Sequence, residues 1–295
     1  MVGLARPVTK WCTLVKDVRD LPRAMNEAFA IATSGRPGPV LVDLPKDVTA
    51  SILRERPSAV PRVAHRLAER EAGVAAKGIP PAQLARIASL INGASRPVVY
   101  AGQGVLSARG EGELRALAAA GHLPVTTTLL GMGAFDETHP SSLHMLGMHG
   151  SAYANDAMQS ADVILALGAR FDDRITGNVK KFAPAAYAAA AEGRGGIIHF
   201  DVSPKNINKV VKVHEAVLGD VRENMKALTP LLKPSPRAPW WKDIEGWKRT
   251  HPFSYPPSKT KGAIKPQRVI EELYRQQAAA DRVKDTIITT GVGQQ

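Results

Sequence analysis

A charged cluster that directly follows a short apolar run is the part of this sequence best suited to binding a ligand. Val163–Leu167 is continuously apolar, which is typical of a strand buried on both faces of a parallel sheet. Two arginines and two adjacent aspartates follow it, namely Arg170, Asp172, Asp173 and Arg174. Guanidinium groups suit phosphate, and carboxylates suit ribose hydroxyls. The spacing therefore predicts a ligand-binding loop, although it equally allows a solvated, salt-bridged loop.

The adjacent carboxylates Asp172 and Asp173 could form a metal site or an acid–base pair. Neighbouring residues on a strand or helix point in different directions, however, so the two side chains do not converge easily. Ion pairing with Arg170 and Arg174 is the favoured interpretation of this pair.

Other predicted strands in the middle of the chain also end in glycine, small polar or acidic residues. Gly102-Gln103-Gly104 lets a backbone approach a ligand closely, although Ser107 replaces the third glycine of a dinucleotide fingerprint. Asp201 and Asp220 each end a strand, where ribose-binding acids often lie. Because the carboxyl ends of parallel strands share one edge of a sheet, these residues predict an adenine-dinucleotide site. Further candidates at this edge are Thr128-Leu129-Leu130 and Leu146-Gly147-Met148-His149-Gly150. His149 taken alone is typical of a packed or solvated histidine.

The sequence contains no recognisable catalytic constellation. It lacks supporting motifs for a Ser–His–Asp triad, a Cys/His metal spacing and a phosphate-binding Walker loop. We therefore predict binding chemistry, and assign neither catalytic residues nor metal ligands to the chain.

Composition indicates a globular protein with anionic partners. Of 295 residues, 44% are hydrophobic and 22% charged, and the net charge of +12 favours phosphate esters, nucleic acid or acidic lipid. The basic residues are dispersed, which argues against a nucleic-acid-binding stripe. Cys12 is the single cysteine, so a reducing compartment is expected. No apolar run approaches the roughly 18 residues of a membrane span, and no signal or transit peptide is recognisable.

The elements that position these residues alternate between strand and helix from residue 82 to residue 232. This alternation predicts an α/β fold with a doubly wound parallel sheet. The predicted strands are Pro97–Ala101, Pro124–Thr128, Val163–Leu167, Gly196–Val202 and Val217–Gly219. A helix is expected to open at Ser203, and another to span Val221–Leu232.

The flanking segments resemble parts of other domains. Residues 1–51 contain one predicted helix and one strand, Val40–Val42, which lacks a neighbour, so the beginning of that domain is expected to be missing. Residues 52–81 and 233–265 are predicted linkers, the first with a short helix near Val63–Ala72. Residues 266–295 hold a helix and the strand Thr286–Thr290, the start of a further domain. Trp240, Trp241 and Trp247 are expected to pack against neighbouring domains.

Several long motifs resemble the catalytic subunit of acetohydroxyacid synthase (acetolactate synthase), most closely the fungal mitochondrial enzymes. The similarity covers nearly the whole chain apart from the linkers. The motifs are Thr9–Trp11, Ala32–Val48, Leu146–Gly150, Gly168–Asn178, His199–Lys209 and Thr289–Gln294. Ser34–Pro39 by itself would indicate only the wider thiamine-diphosphate superfamily.

The resemblance implies three α/β domains, of which the central one binds FAD and the outer two bind thiamine diphosphate with Mg²⁺. It implies a transferase that joins pyruvate, after loss of carbon dioxide, to pyruvate or 2-ketobutyrate in branched-chain amino-acid biosynthesis. FAD does no net redox chemistry in that family. The resemblance also implies a homodimer or larger oligomer, a possible regulatory subunit and a mitochondrial location, without membrane or nucleic-acid partners.

The resemblance assigns expected roles by position. Lys16, Met148 and Asp173 match residues that line the substrate channel. Gly291, Val292, Gly293 and Gln294 match the start of the thiamine diphosphate loop. The expected FAD contacts are Arg6, Gly102, Gln103, Gly104, Thr128, Leu129, Leu146, Gly147, Met148, His149, Gly168, Ala169, Arg170, Asp172, Arg174, Ile175, Asp201, Val202, Asn206 and Asp220.

Three departures from the family pattern affect the expected activity. Gln295 stands where the family has histidine, and Asp201 where fungal relatives often have glutamate. The glutamate that activates thiamine would precede Met1, and the metal-binding stretch would follow Gln295. The chain is therefore expected to be an internal fragment that lacks acetolactate-forming activity by itself. Alternatives are another thiamine-dependent enzyme, such as an oxidase or decarboxylase, a non-catalytic FAD- or nucleotide-binding module and, more remotely, a basic RNA-binding protein.

Overall fold

The computed structural model describes residues 1–54, 78–260, 262–289 and 291. The chain forms two compact units, Met1–Trp247 and Lys248–Gln295. The short helix predicted near Val63–Ala72 lies outside the described residues. The segment boundaries proposed from the sequence stay a prediction.

The first 54 residues form a small α/β layer with two parallel strands. Its strands are β1 (Trp11–Leu14) and β2 (Val40–Asp43), and its helices are α1 (Val2–Ala5), α2 (Leu21–Thr33) and α3 (Lys46–Ala50). The predicted strand at Val40–Val42 therefore does have a neighbour, because Trp11 pairs with Val40 and Leu14 with Asp43. The sequence interpretation missed β1, a four-residue strand in which Thr13 interrupts the apolar pattern.

The central part of the first unit contains a six-stranded sheet in which every strand pairing is parallel. The strands are β3 (Pro97–Ala101), β4 (Val125–Thr127), β5 (Ser142–Met145), β6 (Val163–Leu167), β7 (Gly196–Asp201) and β8 (Glu215–Leu218). Their order is β5-β4-β3-β6-β7-β8. The direction of winding therefore reverses between β3 and β6, and this reversal confirms the predicted doubly wound α/β fold.

Helices cover both faces of this sheet. Side chains alternate along each strand, so Val99 and Leu165 pack into one core, whereas Tyr100 and Ile164 pack into the other. The first core includes residues of α4 (Pro81–Gly93), α6 (Glu111–Gly121) and α10 (Val221–Leu228), and the second includes residues of α7 (Ala152–Ser160), α9 (Pro184–Ala191) and α11 (Ala238–Thr250). Two short helices, α5 (Gln103–Ser107) and α8 (Asp173–Thr176), follow β3 and β6.

Several elements differ from the sequence prediction in this region, and the short helices α5 and α8 are among those not predicted. Strand β5 and helix α9 were not predicted, because β5 is a four-residue edge strand of mixed polarity and α9 is nearly all alanine. The helix expected to open at Ser203 is wrong, since Pro204–Asn206 forms only one 3-10 turn. The side chain of Asp201 accepts hydrogen bonds from the Ser203 amide and from Asn206, which favours a turn over a helix there.

The tryptophan-rich segment is also different from the prediction. It forms helix α11, and Trp240 is 1% exposed in the second core of the central sheet. The Trp240 indole donates a hydrogen bond to the Pro97 carbonyl at 3.0 Å. Trp241 and Trp247 pack against the same core. These tryptophans therefore complete the central fold, and the expectation that they pack against a neighbouring domain holds for the central one.

The second unit contains helix α12 (Pro266–Ala279), which confirms the helix predicted to begin at Pro266. The strand predicted from Thr286 does not form in the described residues, and Ile287 is 90% exposed. A strand needs a neighbour to satisfy its backbone, and no pairing partner is present for these residues in the described part of the chain. Among the helices of the described residues, none has both the length and the hydropathy that a membrane span requires.

Candidate functional site

The loops at the carboxyl edge of the central sheet surround a cavity of about 500 Å³. This is the size range of small-molecule sites, and its position outside the strand ends is where open α/β sheets bind ligands. The predicted site residues that line it are Gln103, Gly104, Thr128, Leu129, Gly168, Ala169, Arg170, Asp172, Arg174, Ile175, Asp201, Val202, Asn206 and Asp220. The structure therefore brings the ends of β3, β4, β6, β7 and β8 together around one cavity.

The winding reversal lies at the floor of this cavity, where the loops after β3 and β6 are in backbone contact. A methyl group on Gly102 would overlap the Gly168 carbonyl oxygen and lie 2.6 Å from the Ala169 Cα, and one on Gly104 would lie 2.6 Å from the Gly168 Cα. Gly168 itself has a φ of 56°. These glycines allow the two loops to pack against each other, a reason for their presence that the sequence did not indicate.

The β6 loop presents charged and polar side chains to the cavity. Arg170 is exposed, whereas the Oδ1 atom of Asp172 is buried and has no hydrogen-bond partner among the described residues. Arg174 and Asp173 form an exposed ion pair of 3.2 Å. The predicted ion pairing therefore holds for Asp173 and Arg174 but not for Asp172, whose free oxygen needs a donor from elsewhere.

The β7 end supplies a second acidic group. Asp201 is buried, and its Oδ1 accepts hydrogen bonds from the Ser203 amide at 2.7 Å and the Asn206 side chain at 3.1 Å. His199 Nε2 lies 3.6 Å from Asp201 Oδ2. This network fixes the orientation of Asp201 at the cavity wall.

Asp220 at the β8 end has a local structural role as well. Its Oδ1 caps helix α10 by accepting from the amides of Arg222 and Glu223 at 2.8 and 3.1 Å. The capping contacts use one carboxylate oxygen, so the other oxygen is free of them. Asp220 can therefore cap the helix and still offer an acceptor to a ligand.

Several residues predicted for the site lie outside the cavity wall. Gly102 packs behind the β6 loop, and Arg6, Lys16 and Asp173 are exposed residues that do not line the cavity. In the loop Leu146–His149, Leu146 is buried in the second core, the Met148 amide donates to the Arg174 carbonyl at 2.9 Å, and the Met148 side chain is 64% exposed. Gly291 is exposed, and Val292, Gly293 and Gln294 lie outside the described residues.

The cavity also has a wall that sequence reasoning missed. The turn at the end of α2 reaches it, and Arg36 is an exposed cation there. Its motif, Ser34–Pro39, was recognised, but nothing in a local pattern shows that this turn meets the central sheet. The missed lining residues are Thr33, Gly35, Arg36, Pro37, Ser107, Ala108, Gly219 and Val221, whereas Leu130, a candidate from the sequence, also lines the cavity. In the described residues, no group of three or more His, Cys, Asp or Glu could hold a metal ion.

The part of the chain that forms the central sheet is similar to a known class of enzyme domain. Residues 84–228 match the family model described as the central domain of thiamine pyrophosphate enzymes, so this part of the chain is similar to that domain.

Over its whole length the chain is similar to acetolactate synthase catalytic subunits, which confirms the resemblance predicted from the motifs. It is 53% identical to the mitochondrial acetolactate synthase catalytic subunit of Aspergillus candidus and 54% identical to the mitochondrial acetolactate synthase of Schizosaccharomyces pombe. It is 38% identical to the acetolactate synthase isozyme 3 large subunit of Escherichia coli. The alignments cover 99 to 100% of this chain but 43%, 44% and 49% of these relatives. The chain therefore spans under half the length of the relatives it matches.

Proposed function

We propose that this chain is the FAD-binding part of an acetolactate synthase catalytic subunit. The proposal is supported by one observation above all, the convergence of five strand ends on a cavity lined by Arg170, Asp201 and Asp220. The similarity along the whole chain to acetolactate synthases supplies the enzyme class. In that class pyruvate loses carbon dioxide and is joined to a second 2-keto acid, pyruvate or 2-ketobutyrate.

The cavity has the chemistry that a flavin adenine dinucleotide needs. Arg36, Arg170 and Arg174 line it and suit an anionic diphosphate, because a guanidinium donates paired hydrogen bonds to phosphate oxygens. Asp201 and Asp220 provide acceptors for sugar hydroxyls. The net charge of +12 for the chain adds a long-range attraction for an anionic ligand.

Two further features favour an occupant with both donors and an apolar ring. The buried, unpartnered Oδ1 of Asp172 costs about 1 to 3 kcal/mol unless a ligand donates to it. Leu129 and Leu130 are exposed apolar side chains on the cavity wall. A flat aromatic ring packed against them would remove apolar surface from water.

In the proposed enzyme, the residues of this chain bind and orient the cofactors. Thiamine diphosphate with Mg²⁺, when bound, supplies the chemistry that decarboxylates pyruvate. In our proposal the strand-end loops hold FAD as an architectural group. The hydrogen bonds around Asp201 fix the carboxylate that accepts from the ribose, and the turn at the end of α2 forms one wall of the cavity. Lys16, Met148 and Asp173 border the substrate channel, and Gly291–Gln294 begin the diphosphate loop.

The names of the relatives suggest partners and location. The Aspergillus relative is named a catalytic subunit and mitochondrial, and the Escherichia coli relative is named a large subunit. We therefore propose that the protein works with a regulatory subunit in mitochondria, as a homodimer or larger assembly.

The binding proposal is tested by titrating FAD into the purified chain and following flavin fluorescence. We expect saturable binding that the Arg170→Ala variant weakens about tenfold or more, as expected for loss of a charge-assisted hydrogen bond. The matched control is Arg115→Ala, which removes an exposed arginine of α6 that does not line the cavity. Absence of FAD binding, or equal losses in both variants, would refute the assignment of this cavity.

The enzyme class is tested in a chimaera. This chain replaces the 302-residue aligned region of the Aspergillus candidus relative, and acetolactate formation from pyruvate is measured. We expect acetolactate to form. A chimaera that folds and binds FAD but makes no acetolactate would contradict the synthase assignment while leaving the binding assignment intact.

A further inference from the structure

Two buried side chains hold the backbone of the β6 loop from opposite sides. In the sheet, β6 lies between β3 and β7. Tyr100 of β3 donates a hydrogen bond to the Arg170 carbonyl, and His199 of β7 bonds the adjacent Ala169 carbonyl, each at 2.8 Å. Consecutive carbonyls of the loop that carries Arg170 and Asp172 are therefore fixed by the two neighbouring strands.

Tyr100 is suited to act as a permanent donor. Its side chain is fully buried in the second core, and its ring lies 5.5 Å from that of Phe171. Burial, with a smaller contribution from the Asp172 carboxylate, raises the pKa of the Tyr100 hydroxyl far above its ordinary value. The hydroxyl is therefore protonated at neutral pH and donates to the Arg170 carbonyl.

His199 is equally constrained. Because a carbonyl oxygen only accepts, Nε2 must carry the proton that is donated to Ala169. The Nδ1 atom is buried and has no hydrogen-bond partner among the described residues, and burial lowers the pKa of the imidazole against the opposing effect of Asp201. The ring packs edge-on against Phe171 at 5.3 Å. An apolar residue would avoid the unsatisfied nitrogen, so the Nε2 donor is the feature that favours histidine here.

We propose that Tyr100 and His199 are positioning residues that hold the β6 loop with Arg170 and Asp172 turned to the cavity. We call this pair of side chains the loop clamp. With both carbonyls held by the sheet, the loop keeps one backbone conformation before a ligand arrives. Preorganisation of this kind increases affinity because less ordering is needed on binding.

The loop clamp also connects two walls of the cavity. The Nε2 atom that donates to Ala169 lies 3.6 Å from Asp201 Oδ2. His199 therefore lies in contact both with the β6 loop, which we propose binds phosphate, and with the acceptor that we assign to the ribose. This role rests on the proposed FAD site, since the ligand that benefits from it is the one proposed there.

The first test removes single donors from the clamp by substitution. Tyr100→Phe deletes only the hydroxyl, His199→Gln keeps a donor near the position of Nε2, and His199→Phe removes it. We expect Tyr100→Phe and His199→Phe to raise the Kd for FAD about tenfold, and His199→Gln to remain closer to the unchanged protein. The matched control is Tyr187→Phe, because the Tyr187 hydroxyl donates to the Lys212 carbonyl at 2.9 Å and does not line the cavity. It should leave the Kd for FAD unchanged.

The second test separates positioning from a merely structural role. If Tyr100 acts through the loop that carries Arg170, Tyr100→Phe should change the Kd by less than about twofold when Arg170→Ala is already present. Amide hydrogen exchange of residues 168–175, measured without ligand, should be faster in Tyr100→Phe and His199→Phe than in Tyr187→Phe.

The outcomes distinguish this inference from the proposed function. If the unchanged chain binds no FAD, the proposed function fails, and the exchange comparison still decides whether the clamp holds the loop. If the chain binds FAD, the inference is overturned by independent effects of Tyr100→Phe and Arg170→Ala, or by a Kd for Tyr100→Phe equal to that of Tyr187→Phe. Unaltered exchange of residues 168–175 in both clamp variants overturns it as well.

Discussion

The close approach of the β3 and β6 loops predicts that one added methyl group is costly at Gly102. Gly102 has an extended backbone with φ of −114°, so alanine there causes no backbone strain. The methyl group would instead overlap the Gly168 carbonyl oxygen and lie 2.6 Å from the Ala169 Cα and 2.9 Å from the Ala169 Cβ. Two of these three contacts are backbone atoms, which cannot move aside by rotating a side chain.

The expected magnitude follows from these contacts. Overpacking of a close-packed interior costs about 1 to 3 kcal/mol, so Gly102→Ala should lower the free energy of unfolding by about that amount. For a unit of this size, such a loss lowers the midpoint of thermal unfolding by about 2 to 12 °C. The displaced β6 loop should also bind FAD more weakly, because Arg170 and Asp172 follow directly.

The same chemical change at Gly112 is a matched control. Gly112 lies in the first turn of α6, and a methyl group there meets only the flexible end of Arg115, at 4.0 Å. Gly112→Ala should raise the free energy of unfolding by about 0.5 to 1 kcal/mol through helix propensity and a less flexible unfolded chain. Urea unfolding and FAD titration of both variants measure the difference. Equal stability of the two variants, with equal FAD affinity, would show that the close approach does not exist.

Three other perturbations have expected outcomes. Arg237 is buried and donates to carbonyls at the ends of α4 and α6 at 2.6 to 2.8 Å. Arg237→Ala should therefore lower the free energy of unfolding, measured by urea titration, by about 3 to 5 kcal/mol. A loss below about 1 kcal/mol would contradict this expectation. Arg36→Ala should raise the Kd for FAD about tenfold or more. Arg23→Ala, in the same segment but away from the cavity, should leave the Kd unchanged, and equal Kd values for the two variants would contradict a role of Arg36 in binding. Burial lowers the pKa of His199 and of His214, so the unfolded state binds more protons than the folded state below about pH 6.5. The contribution of these two neutral histidines to the free energy of unfolding should therefore be fully present above that pH. The free energy of unfolding should fall as the pH drops further. His199→Gln should show a shallower decline, and an identical pH profile would count against a buried neutral His199.

The fold could be predicted where the sequence pattern has one physical reading. Val163–Leu167 is a continuous apolar run, and every residue of it is buried, because helices cover both faces of a parallel strand. Edge strands give no such signal. β5 includes Ser142 and His144, so the sequence pattern of this strand resembles that of a loop. Its backbone is also irregular, because His144 has a positive φ of 58°. The strand predicted from Thr286 shows the converse error, since apolar residues form a strand only when a neighbouring strand pairs with them.

The candidate site, like the fold, could be predicted only where a local sequence pattern indicates it. The sequence by itself indicated which loops follow the strands and which side chains in them suit phosphate and sugar, and the parallel topology was enough to place the loops at one edge. Only the tertiary structure decided that Gly102 contacts the β6 loop, that Arg36 reaches the cavity, and that Tyr100 and His199 hold consecutive carbonyls. The physical reason is distance along the chain. Periodicity and turn chemistry act over a few residues, whereas these contacts join residues about 30 to 130 positions apart and depend on how the strands are ordered in the sheet.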